Sequence, residues 1–553
     1  MQDSTAVELK HCERNSNAVS SNMEPRERRH TKILVEGDDH AQTTQVLHTT
    51  VRVRTRLGRI SSLLSCVWFF TQCLLCYALL LLLLTPLLPF TAVFYILKAA
   101  ERGVVKMTSR GFHLTGMDSM LASLNEDNRP TINALLCLEN EGSFEEGLNA
   151  FRQAILERLI DAKKANGELL YPRVRCYIRS GWFQYFFQED QSFKAENHVF
   201  KWEGEVPNSK DELVAIASKL SGEPFPKGRS PWYCCCIPTN FGDNDFAVVF
   251  RVEHSIADGI SLVKFLIYNL PDRISPQTEP LKFLNKGRSF LIAKAALSAP
   301  RYFLKQLFTF ADHSKLHGPN LSGEKRVAWY EAIELQLIKD IKSATGLTVN
   351  DVLMSCVSLA LRRYFQRIGV ENPDDFTAAV PVDVRTQSSL KELAFENKFS
   401  FIFLKLAVSY DGVLKQLHET RVRTKKAKVS GEPLALAAII YLSQELSPEF
   451  LTSKLNAFLG KKTSCILSNV PGPNDMLTVR GSRVKLITFW PPQRDNIGVG
   501  LSIFTYAGKV IFGVQGDVSV LPDPELIVEE FRNALSEMTR CVLLTDDSVS
   551  DRH

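Results

Sequence analysis

The residues best suited to do chemistry are the run His254-Ser255-Ile256-Ala257-Asp258-Gly259. It follows Phe246 to Glu253, a strongly β-prone stretch, and precedes an apolar helical stretch from Ile260 to Leu270. A histidine at a strand end can project into a cleft, and its imidazole titrates near neutral pH, so it suits a general base. An aspartate four residues later, past a tight turn, faces another way and suits an ion pair that fixes the loop. The glycine is expected to let neighbouring backbone approach closely.

Other candidate chemistries find less support. His113, His198, His313, His317 and His418 form no metal-ligand spacing, and no CxxC unit has a zinc-like partner, so neither a metal nor a cofactor is implied. Of the twelve cysteines, Cys66, Cys73 and Cys76 lie in an apolar run and Cys234, Cys235 and Cys236 are consecutive. They read as reduced, mostly buried thiols of a cytosol-facing protein. The net charge of +5 over 553 residues gives no case for nucleic acid. Gly460-Lys461-Lys462-Thr463 lacks the upstream glycine of a phosphate loop. The basic run Arg421 to Lys428 could meet CoA phosphates but reads better as a solvated helix face.

The run at His254 resembles the HHxxxDG motif of the wax ester synthase/diacylglycerol acyltransferase family, part of the wider chloramphenicol-acetyltransferase-like superfamily. Further stretches match in the same order. Ser230-Pro231-Trp232 is similar to the family's P-L-W motif, Asn350-Asp351-Val352 to its N-D-V helix start, and Pro381-Val382-Asp383-Val384-Arg385 to its P-V-x-x-R strand end. Ser468-Asn469-Val470-Pro471-Gly472-Pro473 matches its S-N-V-P-G-P loop. The resemblance covers about residues 111–542. It departs at the first motif histidine, which is Glu253 here. As the strand neighbour of His254, Glu253 should point away from it, as a solvated or ion-paired residue.

The resemblance implies a long-chain acyl-CoA donor as cosubstrate and a lipid alcohol acceptor, either a fatty alcohol or diacylglycerol. His254 would be the general base, with no covalent acyl-enzyme. Asp258 would pair with Arg385 to hold the loop, and Ser468 and Asn469 are the candidates for stabilising the oxyanion. Two rivals remain: an acyltransferase of the same fold acting on another hydroxyl such as a sterol, and a catalytically silent lipid-binding protein, which Glu253 would suit.

The elements that must position these residues are mixed α and β: an α/β (α+β) fold of two chloramphenicol-acetyltransferase-like subdomains. Each is a mixed sheet flanked by helices, with the site at their interface, and an N-terminal membrane anchor precedes them. The expected order is a disordered tail (1–50), the anchor with basic flanks (51–110), a subdomain carrying the histidine motif (111–285), a crossover (286–325) and a second subdomain (326–545). Glu145 to Ala165 reads as a helix closed by Asn166-Gly167, and Tyr171 to Tyr177 and Trp182 to Phe187 as strands. Asn350-Asp351 is expected to cap a helix reaching Arg367, and Ala507-Gly508 to turn a hairpin.

Ile60 to Leu97 holds no charged residue, which is ample for a membrane span of roughly 20 residues. Arginines precede it and basic residues follow it, so the two flanks compete for the cytoplasmic side. A hairpin bent at Pro86 and Pro89 and a single tilted span both stand. The crossover, basic and aromatic from Phe290 to Phe308, would suit either a membrane interface or a greasy face packed on the core. Together these features lead to an endoplasmic reticulum membrane protein with a cytosolic catalytic part, and a lipid droplet as a second site.

Overall fold

The computed structural model describes residues 56–108, 111–114, 116–122, 129–241, 245–273, 288–318, 321–330, 333–386, 393–494 and 496–544. The expected tail, residues 1–50, lies outside them. Two compact units are distinguished, Met1–Trp68 and Phe69–His553. The described part of the first is helical, and the strands among the described residues all lie in the second.

One apolar helix, Leu63–Thr108, is long enough to cross a membrane. It does not turn back at its prolines. Pro86 falls in a short 3-10 turn, Thr85–Leu87, and Pro89 in the first turn of the helix Leu88–Thr108. A proline there removes no essential hydrogen bond, so the rod continues and the hairpin is not formed.

Two large sheets carry most of the rest, beside a three-stranded sheet of Gly111–His113, Tyr185–Glu189 and Cys176–Ser180. The first runs, in spatial order, Thr478–Val479, Ser482–Trp490, Thr131–Glu139, Asp245–Glu253, Trp232–Pro238 and Val199–Lys201. Its two central strands are antiparallel, with Thr131 opposite Glu253 and Glu139 opposite Asp245. Side chains alternate across it. Ile132, Leu136, Leu138, Phe246, Val248 and Val252 face a core shared with the helix Phe144–Ile155. Leu135, Ala247 and Val249 face the helix Lys210–Gly222 on the other side.

The second sheet runs Phe399–Lys405, Thr377–Asp383, Cys465–Pro471, Val499–Tyr506, Lys509–Asp517 and Lys325–Trp329, with Ile333–Glu334 also on Lys509–Asp517. The helices Val349–Arg367 and Pro524–Leu543 cover it. The sheets are not built from consecutive stretches, because Ser482–Trp490, late in the chain, pairs with Thr131–Glu139 in the first sheet.

Several local expectations change. Residues 172–175 form a 3-10 turn, so the strand there is only Cys176–Ser180, and its partner is Tyr185–Glu189. The helix from Phe144 stops being α-helical at Ile155 and ends in a π turn, Leu156–Ile160, before Asn166. Thr348, not Asn350 or Asp351, is the N-cap of Val349–Arg367. Its hydroxyl accepts from the Asp351 amide while the Asp351 carboxylate accepts from the Thr348 amide. Such reciprocal capping satisfies two orphan donors of the first turn. The Ala507-Gly508 hairpin forms as expected, with φ of 48° and 75°.

The second core is tightly keyed by Phe512 and Phe531, stacked with centroids 4.1 Å apart and both fully buried. Phe531→Ala should lower stability by about 3–5 kcal/mol, measured as a drop in the thermal unfolding midpoint of the purified chain.

Candidate active site

His254 lies one residue beyond the strand Asp245–Glu253, and its amide donates to the Pro130 carbonyl at 2.8 Å. Its ring rests against Phe399, centroids 5.2 Å apart. Nδ1 lies 3.0 Å from Oδ1 of Asn397. The Asn397 amide nitrogen faces three acceptors: Asp118 Oδ1 at 3.0 Å and the carbonyls of His254 and Ser255 at 2.8 and 2.9 Å. A flipped amide would set its oxygen against all three, so the nitrogen belongs there and the oxygen meets the histidine. An oxygen can only accept. Nδ1 therefore carries the proton, and Nε2 keeps its lone pair.

Asp118 in turn accepts both guanidinium nitrogens of Arg173, at 2.8 and 2.7 Å. Arg173 also donates to the Ser255 carbonyl at 3.1 Å. The chain Arg173–Asp118–Asn397–His254 thus holds the imidazole from behind, drawing on the helix Gly116–Leu121, the 3-10 turn Pro172–Arg175 and the segment before the strand Phe399–Lys405. Burial lowers the His254 pKa from its ordinary value, against the pull of Asp258 and the Asn397 hydrogen bond. The ring is then neutral at neutral pH, the form a base needs.

Asp258 caps the helix Gly259–Tyr268, its Oδ1 accepting from the Ser261 amide at 2.8 Å. Arg385 Nη2 lies 2.9 Å away, and the Lys398 amide donates to Oδ2 at 2.9 Å. Arg385 has a side chain with no exposure and also reaches Asp383 at 3.0 Å, Glu396 at 3.3 Å and the Ser261 hydroxyl at 2.8 Å. The two positions paired from the sequence are therefore in contact. Gly259 differs from its expectation: a Cβ there would meet nothing, and it opens onto a cavity instead.

That cavity holds about 90 Å³ and lies between the strand before His254 and the helix after it. Val248 and Phe250 line it from the strand, and Leu262, Val263 and Leu266 from the helix. Apart from Gly259 and Cys234, every lining residue has a hydrocarbon side chain. A space of this kind accepts an alkyl chain and rejects a charge.

The remaining sequence candidates fall in three places. Trp232 is core: its indole donates to the Val174 carbonyl at 2.7 Å and stacks on His198, while the Pro231 carbonyl accepts from the Glu253 amide at 2.9 Å. Ser468 and Asn469 belong to the strand Cys465–Pro471 and not to a loop. The Asn469 amide donates to Asn350 Oδ1 at 3.1 Å, which ties that strand to the helix Val349–Arg367. Pro471 ends the strand, and a Cβ on Gly472 would collide with Phe504 and the Thr505 carbonyl, so only glycine fits. Asp351 is the reciprocal partner of the Thr348 cap.

Glu253 is not solvated. It is fully buried, 3.2 Å from Arg129, and accepts from the Ser255 hydroxyl at 3.2 Å. Burial pushes its carboxyl up to about 7, opposed by Arg129. Sequence reasoning missed Asp118, Arg173 and Asn397. The one signal for Asn397 was a polar triplet, Glu396-Asn397-Lys398, set between Phe395 and Phe399.

The fold is shared with solved acyltransferases. It matches the wax ester synthase/diacylglycerol acyltransferase from Marinobacter aquaeolei VT8 with a TM-score of 0.55 at 19% identity, over 78% of this chain and 100% of that one. It matches a trichothecene 15-O-acetyltransferase from Fusarium sporotrichioides at 0.54 and 12% identity, over 78% of this chain and 94% of that one. The wax ester synthase/diacylglycerol acyltransferase catalytic domain profile matches residues 114–298, and the WS/DGAT C-terminal domain profile matches residues 395–539. The chain belongs to this wax ester synthase/diacylglycerol acyltransferase family and is an acyltransferase of that type. An Arabidopsis thaliana relative named wax ester synthase/diacylglycerol acyltransferase 8 is 25% identical over 58% of this chain and 77% of its own. A Mycobacterium tuberculosis protein named for diacylglycerol O-acyltransferase activity is 22% identical over 77% of this chain and 95% of its own.

Two outcomes test the geometry. Asn397→Ala should cut kcat by about 10²-fold or more with little change in KM, since it releases the imidazole without touching substrate; steady-state rates at several acceptor concentrations separate the two. Glu253 has a folded pKa raised to about 7, so its stabilisation is complete below the unfolded value and lost as pH rises through 7. Melting midpoints recorded from pH 5 to 8 should show that loss in the wild type and a flatter profile in Glu253→Gln.

Proposed function

We propose that this protein transfers a long-chain acyl group from acyl-CoA to a lipid alcohol, giving a wax ester or a triacylglycerol. The observation that carries the reading is the fixed tautomer of His254, whose free Nε2 belongs to a loop joining two walls of an alkyl-lined cavity. Nε2 takes the proton of the acceptor hydroxyl as its oxygen attacks the thioester carbonyl. The tetrahedral oxyanion then collapses, the carbon–sulfur bond breaks, and the imidazolium returns the proton to the CoA thiolate. General-base assistance of this kind supplies about 10²–10⁴ in rate.

Asp258 and Arg385 position the loop, and Ser468 and Asn469 are the donors assigned to the oxyanion. A thioester needs no metal to activate it, and the donor acts as a cosubstrate. The apolar rod supports association with a membrane, where acyl chains and lipid alcohols concentrate; the cytosolic face of the endoplasmic reticulum is the assigned site.

The test uses membranes from cells lacking neutral-lipid synthesis, expressing wild type or His254→Ala at equal levels. Labelled acyl-CoA is supplied with a fatty alcohol or with diacylglycerol. Ester formed by the wild type and lost in the variant is the expected result and ranks the acceptors. Product from neither acceptor sinks the substrate assignment, and equal rates remove His254 as the base. Because burial lowers the His254 pKa, the acid limb of kcat/KM should fall below pH 6.5.

A further inference from the structure

The apolar rod is held to the catalytic body at both ends of its most apolar stretch. Near one end the Tyr77 hydroxyl donates to the Ala296 carbonyl in the helix Arg288–Phe308, and Arg301 of that helix lies 5.6 Å over the Phe69 ring. Near the other, the Lys98 ammonium donates to the carbonyls of Gln444 and Ser447, and Arg102 pairs with Glu445 at 2.7 Å. Glu101 accepts from the amides of Trp182 and Phe183, while the Phe94 and Phe183 rings meet edge to face.

The two body helices that grip the rod are packed on each other. A Cβ on Gly431, at the start of Glu432–Leu446, would strike the backbone of Ala295, and Lys294 donates to the Val429 carbonyl at 2.7 Å. The gripped positions Tyr77 and Lys98 are 21 residues apart. That is roughly 31 Å of helix, about the ~30 Å hydrocarbon thickness of a bilayer. A rod crossing the bilayer would drag Lys294, Arg301 and Lys305 on the gripping helix into hydrocarbon with it, at high cost.

The outward sides of the same body helices are apolar. Phe290 is 70% exposed, Phe308 69% and Leu442 53%. In the adjoining helix Glu449–Gly460, Phe450 is 60% exposed and Phe458 47%. This helix ends where the Lys462 ammonium reaches the carbonyls of Gln306 and Leu307, so the patch is continuous with Arg288–Phe308 and with the rod. Its aromatic content and basic neighbours fit a lipid surface.

We infer that the rod lies in the plane of one membrane leaflet instead of crossing the bilayer, and that Arg288–Phe308, Glu432–Leu446 and Glu449–Gly460 form with it a single membrane-facing layer. The inference rests on the proposed membrane association. The Lys98 joint then fixes the catalytic body in one orientation on the surface, with both chain ends on the same side.

Full-length protein carrying tags at both ends, in sealed microsomes treated with external protease, should lose both tags together; survival of one tag alone overturns the inference. Depth is read by a fluorophore on Leu75→Cys, Leu82→Cys, Phe90→Cys or Phe450→Cys, with exposed Cys66 and Cys541 changed to serine, in phosphatidylcholine–phosphatidylserine vesicles. All four sites should be quenched most by bromines near the headgroup. Quenching of Leu82 chiefly by bromines at the chain ends would show crossing and overturn the inference while leaving membrane association standing. Signals that ignore lipid and rise with protein concentration would put a second copy on this face and remove both readings.

Discussion

A guanidinium sealed from solvent has to be matched by charge and hydrogen bonds on the spot, because burying an unpaired ion costs several kcal/mol. Arg385 imposes that demand here. Its side chain has no exposure, and it gathers Asp258, Asp383 and Glu396 around itself together with the Ser261 hydroxyl. Asp258 caps the helix that follows the histidine loop, while Glu396 is the neighbour of Asn397. One cation therefore sets both the loop bearing His254 and the residue that orients its ring. The helix cap and the loop are two expressions of one electrostatic constraint, while the tautomer follows from Asn397, whose amide meets Asp118 and two carbonyls.

How much of this was legible in the sequence depends on the range of the interactions. The histidine, its aspartate and the surrounding strand–turn–helix are local, and periodicity with a short motif exposes them. Arg385 could be named only through resemblance, since nothing near it in sequence announces a partner at position 258. Asn397 and Asp118 stayed hidden because each is an ordinary polar residue until folding seals it beside His254. The capping residue escapes a sequence reading for a related reason. Thr348 and Asp351 share one reciprocal pair of bonds, and sequence shows only that a cap lies close by. The prolines of the rod look like breaks, yet one falls in a 3-10 turn and the other in the first turn of the helix that follows it.

Glu253 illustrates a substitution that changes the surroundings of a site more than its machinery. Its side chain is received by Arg129 and the Ser255 hydroxyl. The cost of a buried carboxylate is shared with a cation that also borders a small polar pocket with Thr131, Asn133 and Arg251. Strand alternation divides the wall cleanly: Thr131 and Asn133 face that polar space, while Ile132, Ala134 and Leu136 face the alkyl-lined cavity. A single strand thus keeps a hydrogen-bonding compartment and a greasy one apart within the thickness of one sheet.

The exchange of Ser482–Trp490 into the first sheet bears on how the chain reaches its fold. Thr131–Glu139 emerges from the ribosome some three hundred and fifty residues ahead of the strand that covers its free edge. Until then a row of unpaired backbone groups on a very apolar strand stands open to other chains. The domain cannot complete itself during synthesis from its N-terminal end, and its slowest contacts are its longest-range ones. The apolar rod is made before either strand, so it is complete while that edge is still open.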